Sequence, residues 1–170
     1  MKIRRITLGT AALLPLSAAG LFAWGTLAPH EVRTSVEIAA PADKVWQVLT
    51  DFQSYPEWNP FIVSVQGTAR QGTRLDNTLR GSDGGTMNFR PRVLKADPGR
   101  ELRWIGRTWV PGIVDGEHYF LIEPAGNGTV RLTQGERFSG ALVPVAGGLL
   151  RMADEFDAMN AALKARAERA

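Results

Sequence analysis

The sequence predicts a single α+β domain behind an N-terminal apolar segment. Three observations carry this. A strand-like alternation over residues 31–38 runs straight into an amphipathic helix. Six more strand-like segments follow, separated by short turns rich in Gly, Asp and Pro. The chain then closes on one long segment of helical period.

Composition narrows the function classes. The 170 residues are 44% hydrophobic and 22% charged, with no cysteine. That is too apolar for a disordered chain, and it excludes a disulfide scaffold, a thiolate metal site and a thiol nucleophile. The pI near 9.7 comes from the first residues. Without Lys2, Arg4 and Arg5 the 20 basic residues fall to 17, matching the 17 acids. A neutral domain lacks the basic face that nucleic acid requires, so no nucleic-acid partner is expected.

Residues 1–28 form the first unit and residues 29–170 the second. No Lys, Arg, Asp or Glu occurs between Ile6 and His30. About 20 helical residues cross a bilayer core, so this run is long enough to span. Trp24 falls where an interfacial ring would sit, and the basic start places the domain on the extracytoplasmic side of the inner membrane. A cleaved signal peptide competes. The small residues at Ser17-Ala18-Ala19 are followed by more apolar chain, and Pro29 makes a poor junction after Ala28. An uncleaved single-pass transmembrane helix is therefore the expectation.

In the domain, Val32, Thr34, Val36 and Ile38 alternate with Glu31, Arg33, Ser35 and Glu37, as in a half-buried strand. Pro41 and Asp43 then open a helix whose apolar stripe is Val45, Trp46, Leu49 and Phe52. Tyr55-Pro56-Glu57-Trp58-Asn59-Pro60 breaks it. Strands are expected at 61–66, 74–80, 86–93, 101–107, 113–123 and 129–139, and their short connections imply an antiparallel meander. The last helix spans 149–168, with Leu149, Met152, Phe156, Met159 and Leu163 on one face.

The final hairpin fixes its own register. Setting Glu123 opposite Arg131 and Glu117 opposite Arg137 makes two opposite-charge pairs on one face. The other face then holds His118 opposite Glu136, Phe120 opposite Gln134 and Ile122 opposite Leu132. A one-residue slip would mix the faces, which pleating forbids. The charged face belongs outside, so His118 and Glu136 point inward as neighbours. His30, beside the anchor, reads as exposed linker.

The segment from Ile38 through Pro41, Val45, Trp46, Leu49, Asp51 and Phe52, with Tyr55, Trp58, Asn59 and Pro60 after it, resembles the opening of the SRPBCC (START-like, Bet v 1-like) superfamily. It is most similar to the polyketide cyclase/dehydrase-like group. The later run Gly116, His118, Phe120, Gln134, Glu136, Phe138 and Gly140 is similar to that group too. The resemblance covers about residues 31–168. It implies a helix-grip fold: a seven-stranded curved antiparallel sheet around the long C-terminal helix, with a cavity between them. Members bind lipids, sterols, polyketides and hormones, and only some are catalytic, so fold does not settle function.

On that frame the expected ligand-binding residues are Trp58, Asn59 and Phe61 near the mouth, and Met87, Phe89 and Trp104 on strands. Trp109 sits in a gating loop. His118, Phe120, Gln134 and Glu136 come from the hairpin, and Met152 and Phe156 from the helix face. His118 and Glu136 are the catalytic candidates. A pair without a third group or a nucleophile gives weak support for an enzyme, and a self-satisfied structural pair competes. The glycine-rich stretch at 81–85 lies between strands and reads as a tight turn, not a phosphate loop. Two isolated histidines and scattered acids make no metal set, and no cofactor is expected. The expected partner is a hydrophobic small molecule or lipid. A polyketide cyclase/dehydratase-type enzyme and a protein-interaction module are the alternatives.

Overall fold

The structure is a computed structural model that describes residues 20, 23–25, 27, 29–81, 83–107, 111–146 and 152–169. The expected anchor lies largely outside the described residues. Among those described, no helix is long and apolar enough to cross a membrane.

The chain opens with β1 (His30–Ile38), α1 (Ala42–Thr50), a short 3-10 turn and α2 (Tyr55–Trp58). Then come β2 (Ile62–Gln66), β3 (Asp76–Arg80), β4 (Thr86–Phe89), β5 (Arg92–Asp97), β6 (Glu101–Arg107), β7 (Asp115–Gly126) and β8 (Thr129–Ser139). Two helices close it, α3 (Val143–Ala146) and α4 (Ala153–Arg169). All strand pairs are antiparallel, in the orders β1-β8-β7-β6-β5 and β2-β3-β4. His30 is the first residue of β1, stacked 6.4 Å from Phe138, and is not linker.

The expected strand 86–93 is two strands in two hydrogen-bonded groups, so the described residues form eight strands where seven were expected. Pro91 is the reason: it has no N–H to give the ladder. The wall is nonetheless continuous. Leu75 N donates to Pro91 O, Val93 N to Thr73 O and Gly72 N to Val93 O, each at 2.9 Å. The sheet turns a corner at Pro91 and continues, giving the curvature that a helix-grip fold needs.

α4 starts at Ala153, later than the periodicity suggested. Met152 precedes it, and Leu149 lies outside the described residues. Its buried face is Phe156, Met159, Asn160, Leu163 and Ala167. Polar ties fix it to β1. Asn160 Nδ2 donates to Thr34 Oγ1 at 2.8 Å, Lys164 Nζ to Glu37 O at 2.5 Å, and Ala39 N to Glu168 Oε1 at 2.8 Å. α1 buries Val45, Val48 and Leu49, with Trp46 half-buried. The core of Ile38, Leu49, Leu102, Phe120, Leu132, Met159 and Leu163 fills one end of the concave face.

The hairpin register is the one the charge pattern required: Glu123 faces Arg131, Glu117 faces Arg137, and His118 faces Glu136. The ion pairs differ. Arg131 takes Glu37 on β1 at 3.0 Å, and Glu117 takes Arg103 on β6. Each strand of the hairpin has a second neighbour, and long side chains reach to it.

Candidate functional site

At the other end of the concave face lies a cavity of about 830 Å³. One wall comes from β2 to β4, with Phe61, Ile62, Asn77, Leu79, Met87 and Phe89. The facing wall comes from β6 to β8, with Trp104, Gly106, Gly116, His118, Glu136 and Phe138. Met152, Ile113 and Arg107 complete the rim.

Strand periodicity places these groups. Leu102, Trp104 and Gly106 alternate inward on β6, Gly116, His118 and Phe120 on β7, and Gln134, Glu136 and Phe138 on β8. Gly106 and Gly116 face each other across the ladder. A methyl at Gly116 would lie 2.3 Å from Glu136 Oε1, and one at Gly106 would fall 1.6 Å from Phe89 Cζ. These two glycines therefore make the hollow that Glu136's carboxylate and Phe89's ring enter.

His118 is held on every side. Its ring stacks on Trp104 at 5.0 Å and 11°, and meets Phe156 edge-on at 5.0 Å. Nδ1 lies 3.0 Å from Glu136 Oε2 and Nε2 lies 3.2 Å from Gln134 Nε2. With Nδ1–H donating to the carboxylate, Nε2 accepts from the Gln134 amide, which also reaches Met159 Sδ at 3.5 Å. Both ring nitrogens are thus engaged, and the residue is only 3% exposed.

The structure brings Phe61, Met87, Phe89, Trp104, His118, Glu136 and Met152 together around the cavity. Phe120, Gln134 and Phe156 are fully buried behind that surface and support His118 from beneath. Asn59 is a turn residue, its Oδ1 accepting from Phe61 N at 3.0 Å and Ile62 N at 2.9 Å. Trp58 faces a separate surface groove with Glu57 and Arg166, which pair at 2.9 Å. Trp109 lies outside the described residues. Gly81 N is bonded to Gly85 O and Gly84 lies at φ +80°, so these residues close a turn; Ser82 lies outside the described residues. Among the described residues, no group of His, Asp and Glu is placed to hold a metal.

Sequence reasoning missed Asn77. Its signal was an amide between Leu75 and Leu79 on the inward face of β3, where an apolar residue belongs. It is 1% exposed and lines the cavity. It missed Gly106 and Gly116 too, since their importance depends on what crosses above them.

The outer face of the same strands carries charge. Arg103 bonds Glu101 at 2.7 Å and Glu117, and lies 5.0 Å over the Tyr119 ring. Tyr119 crosses Gly135 and donates to Glu31 at 2.6 Å. Burial, then the hydrogen bond to Glu31, push its phenol up to about 12.

A curved antiparallel wall gripping a C-terminal helix, with a cavity at one end, defines a narrow set of relatives. A family model described as "Polyketide cyclase / dehydrase and lipid transport" matches residues 29–168. The chain belongs to that family. Solved structures agree on the fold. A START superfamily protein from Mycobacterium smegmatis aligns with TM-score 0.62 at 23% identity, over 82% of this chain and 98% of that one. The Zhui aromatase/cyclase from Streptomyces sp. R1128 gives 0.67 at 21%, over 83% and 94%. Norcoclaurine synthase from Thalictrum flavum, bound to dopamine and hydroxybenzaldehyde, gives 0.64 at 14%, over 98% and 95%. No curated protein matches the chain in sequence.

Proposed function

We propose that this family member binds a hydrophobic small molecule or lipid in the cavity between its two strand groups. The observation that carries this is the cavity itself: about 830 Å³, walled mainly by aromatic and aliphatic side chains, with a few polar groups set into it. That is the size and chemistry of a small-molecule site. We propose further that residues 1–28 anchor the domain in the inner membrane on the extracytoplasmic side, which the uncharged run behind Lys2, Arg4 and Arg5 supports.

A second reading is an enzyme of cyclase or dehydratase type, favoured by the His118–Glu136 pair bordering the cavity. The engagement of His118 favours binding: it spends both nitrogens on Glu136 and Gln134, although Glu136 keeps Oε1 toward the cavity. To act as a general base on a bound molecule, His118 would have to release one of these partners or work through a water.

Titration with Nile red, a neutral environment-sensitive dye, tests the reading. The wild-type protein should bind it with enhanced emission. Trp104→Ala should weaken binding more than His118→Ala, because it strips a large ring from the wall. His118→Ala should cost a ligand no direct hydrogen bond, since both ring nitrogens are held by Glu136 and Gln134. No dye binding would remove the cavity reading. Turnover of a carbonyl substrate lost by about 10²–10⁴ in His118→Ala, with binding intact, would establish the enzyme instead.

A further inference from the structure

Among the described residues that line the cavity, Asn77 is the one with both side-chain polar atoms buried and unpartnered. Its neighbours on β3 alternate properly, Leu79 inward and Thr78 outward, where Thr78 Oγ1 bonds Asn88 Oδ1 at 3.0 Å. In the ladder Asn77 sits between Val65 and Phe89. It is 1% exposed, yet neither Oδ1 nor Nδ2 has a hydrogen-bond partner among the described residues. A buried amide with both ends unpaired is costly, and a leucine there would fit the alternation. An amide kept in such a place suits a ligand that both donates and accepts.

The rest of the cavity narrows that ligand. Glu136 gives Oε2 to His118 and directs Oε1 to the space above Gly116. A carboxylate accepts only, so it favours a group bearing a hydrogen and repels an anion. The two arginines on the rim are already neutralised: Arg90 Nε lies 3.1 Å from Asp76 Oδ2, and Arg107 Nε 3.7 Å from Asp115 Oδ2. Each has an acid beside it, which lessens its pull on an acidic headgroup.

Building on the cavity reading, we propose that Asn77 is the polar anchor of the binding site, and that the ligand is an uncharged apolar molecule bearing a hydroxyl group. The hydroxyl donates to Asn77 Oδ1 and accepts from Nδ2.

Three probes of one shape and different polarity test this: 1-hydroxypyrene, 1-methylpyrene and pyrene-1-carboxylate, each competed against Nile red at pH 7. Wild-type protein should take 1-hydroxypyrene about tenfold more tightly than 1-methylpyrene, one good hydrogen bond's worth, and should bind the carboxylate weakest. In Asn77→Leu the hydroxyl preference should vanish while Nile red still binds and the melting temperature is no lower than wild type. A preference that persists in Asn77→Leu, or equal affinity for hydroxyl and methyl probes in the wild type, would overturn the anchor and leave the cavity reading intact. Tightest binding of the carboxylate would overturn the uncharged ligand. Failure of Nile red and all three probes to bind wild type would bring down the cavity reading and this inference together.

Discussion

The two ends of the concave face are built from the same three strands and come out opposite. At one end β6, β7 and β8 present Leu102, Phe120, Ile122 and Leu132, all 5% exposed or less, against Met159 and Leu163 of α4. At the other end the same strands present Gly106, Gly116, His118, Glu136 and Phe138, and α4 has not yet begun. On β7 the inward residues thus run from Ile122 and Phe120 through His118 to Gly116; β6 ends on Gly106, while β8 passes through Glu136 to Phe138. A curved sheet cannot be filled along its whole length by one straight helix, and this chain places its small and polar residues where the filling stops. The hollow is written in alternate positions of three strands, not as a contiguous motif.

The sharpest way to break this contrast is to truncate one residue at each end. Leu132→Ala, in the filled end, should cost about 2–5 kcal/mol in urea unfolding, because a close-packed site cannot collapse around the loss. Phe138→Ala removes more atoms, but the ring borders the cavity, into which neighbouring side chains can relax. It should cost less, about 1–2 kcal/mol, well under the usual range for a buried ring. A larger loss for Phe138→Ala would mean that the two ends are equally packed.

The paired glycines come next. Gly116→Ala drives a methyl into Glu136 Oε1, so the carboxylate must shift and its contact with His118 is disturbed. A cost of about 1–3 kcal/mol is expected from overpacking together with the disturbed buried pair. Gly106→Ala meets only the half-buried Phe89 ring, which can swing into the cavity. Its stability cost should be smaller and its effect on Nile red emission larger. Equal effects on stability and emission from the two variants would show that the hollow is not shaped by these two side chains.

The legible part of this architecture was whatever neighbouring residues determine. The β7–β8 register could be read because Glu117, Glu123, Arg131 and Arg137 lie on one pleat and His118 and Glu136 on the other. Their ion-pair partners could not, because Glu37 and Arg103 lie on strands that only the tertiary order brings alongside. Trp58 and Asn59 were recognisable as a turn, but which side of the turn faces the cavity depends on where α4 lands. Asn77 faces the cavity because the Pro91 corner swings β3 across from β6 and β7, and nothing local to β3 announces that. Pro91 is a breaker visible in the sequence, but that it divides the expected strand 86–93 between two hydrogen-bonded groups depends on which strands lie alongside.

The smallest expected effect sharpens the contrast by confining it to the inner face. Glu101 opens β6 on the outer side, with Lys95 Nζ at 2.5 Å and Arg103 Nε at 2.7 Å. Partial burial pushes its carboxyl up, but the hydrogen bonds and charges of Lys95 and Arg103 outweigh this and hold it below the ordinary glutamate value of 4.5. A carboxyl whose value is lower in the folded chain binds fewer protons there than in the unfolded chain. Its contribution is therefore complete above pH 4.5 and fades as the pH falls through the lower folded value. Glu101→Gln should flatten that acid limb of the stability curve. At neutral pH it should cost under about 1 kcal/mol, since Lys95 is half-exposed and solvent screens the pair. Nile red affinity at pH 7 should stay at the wild-type value. A severalfold change in dye affinity would show that the outer charges govern the cavity, and the difference between the two ends would then belong to the whole sheet, not to its inward residues.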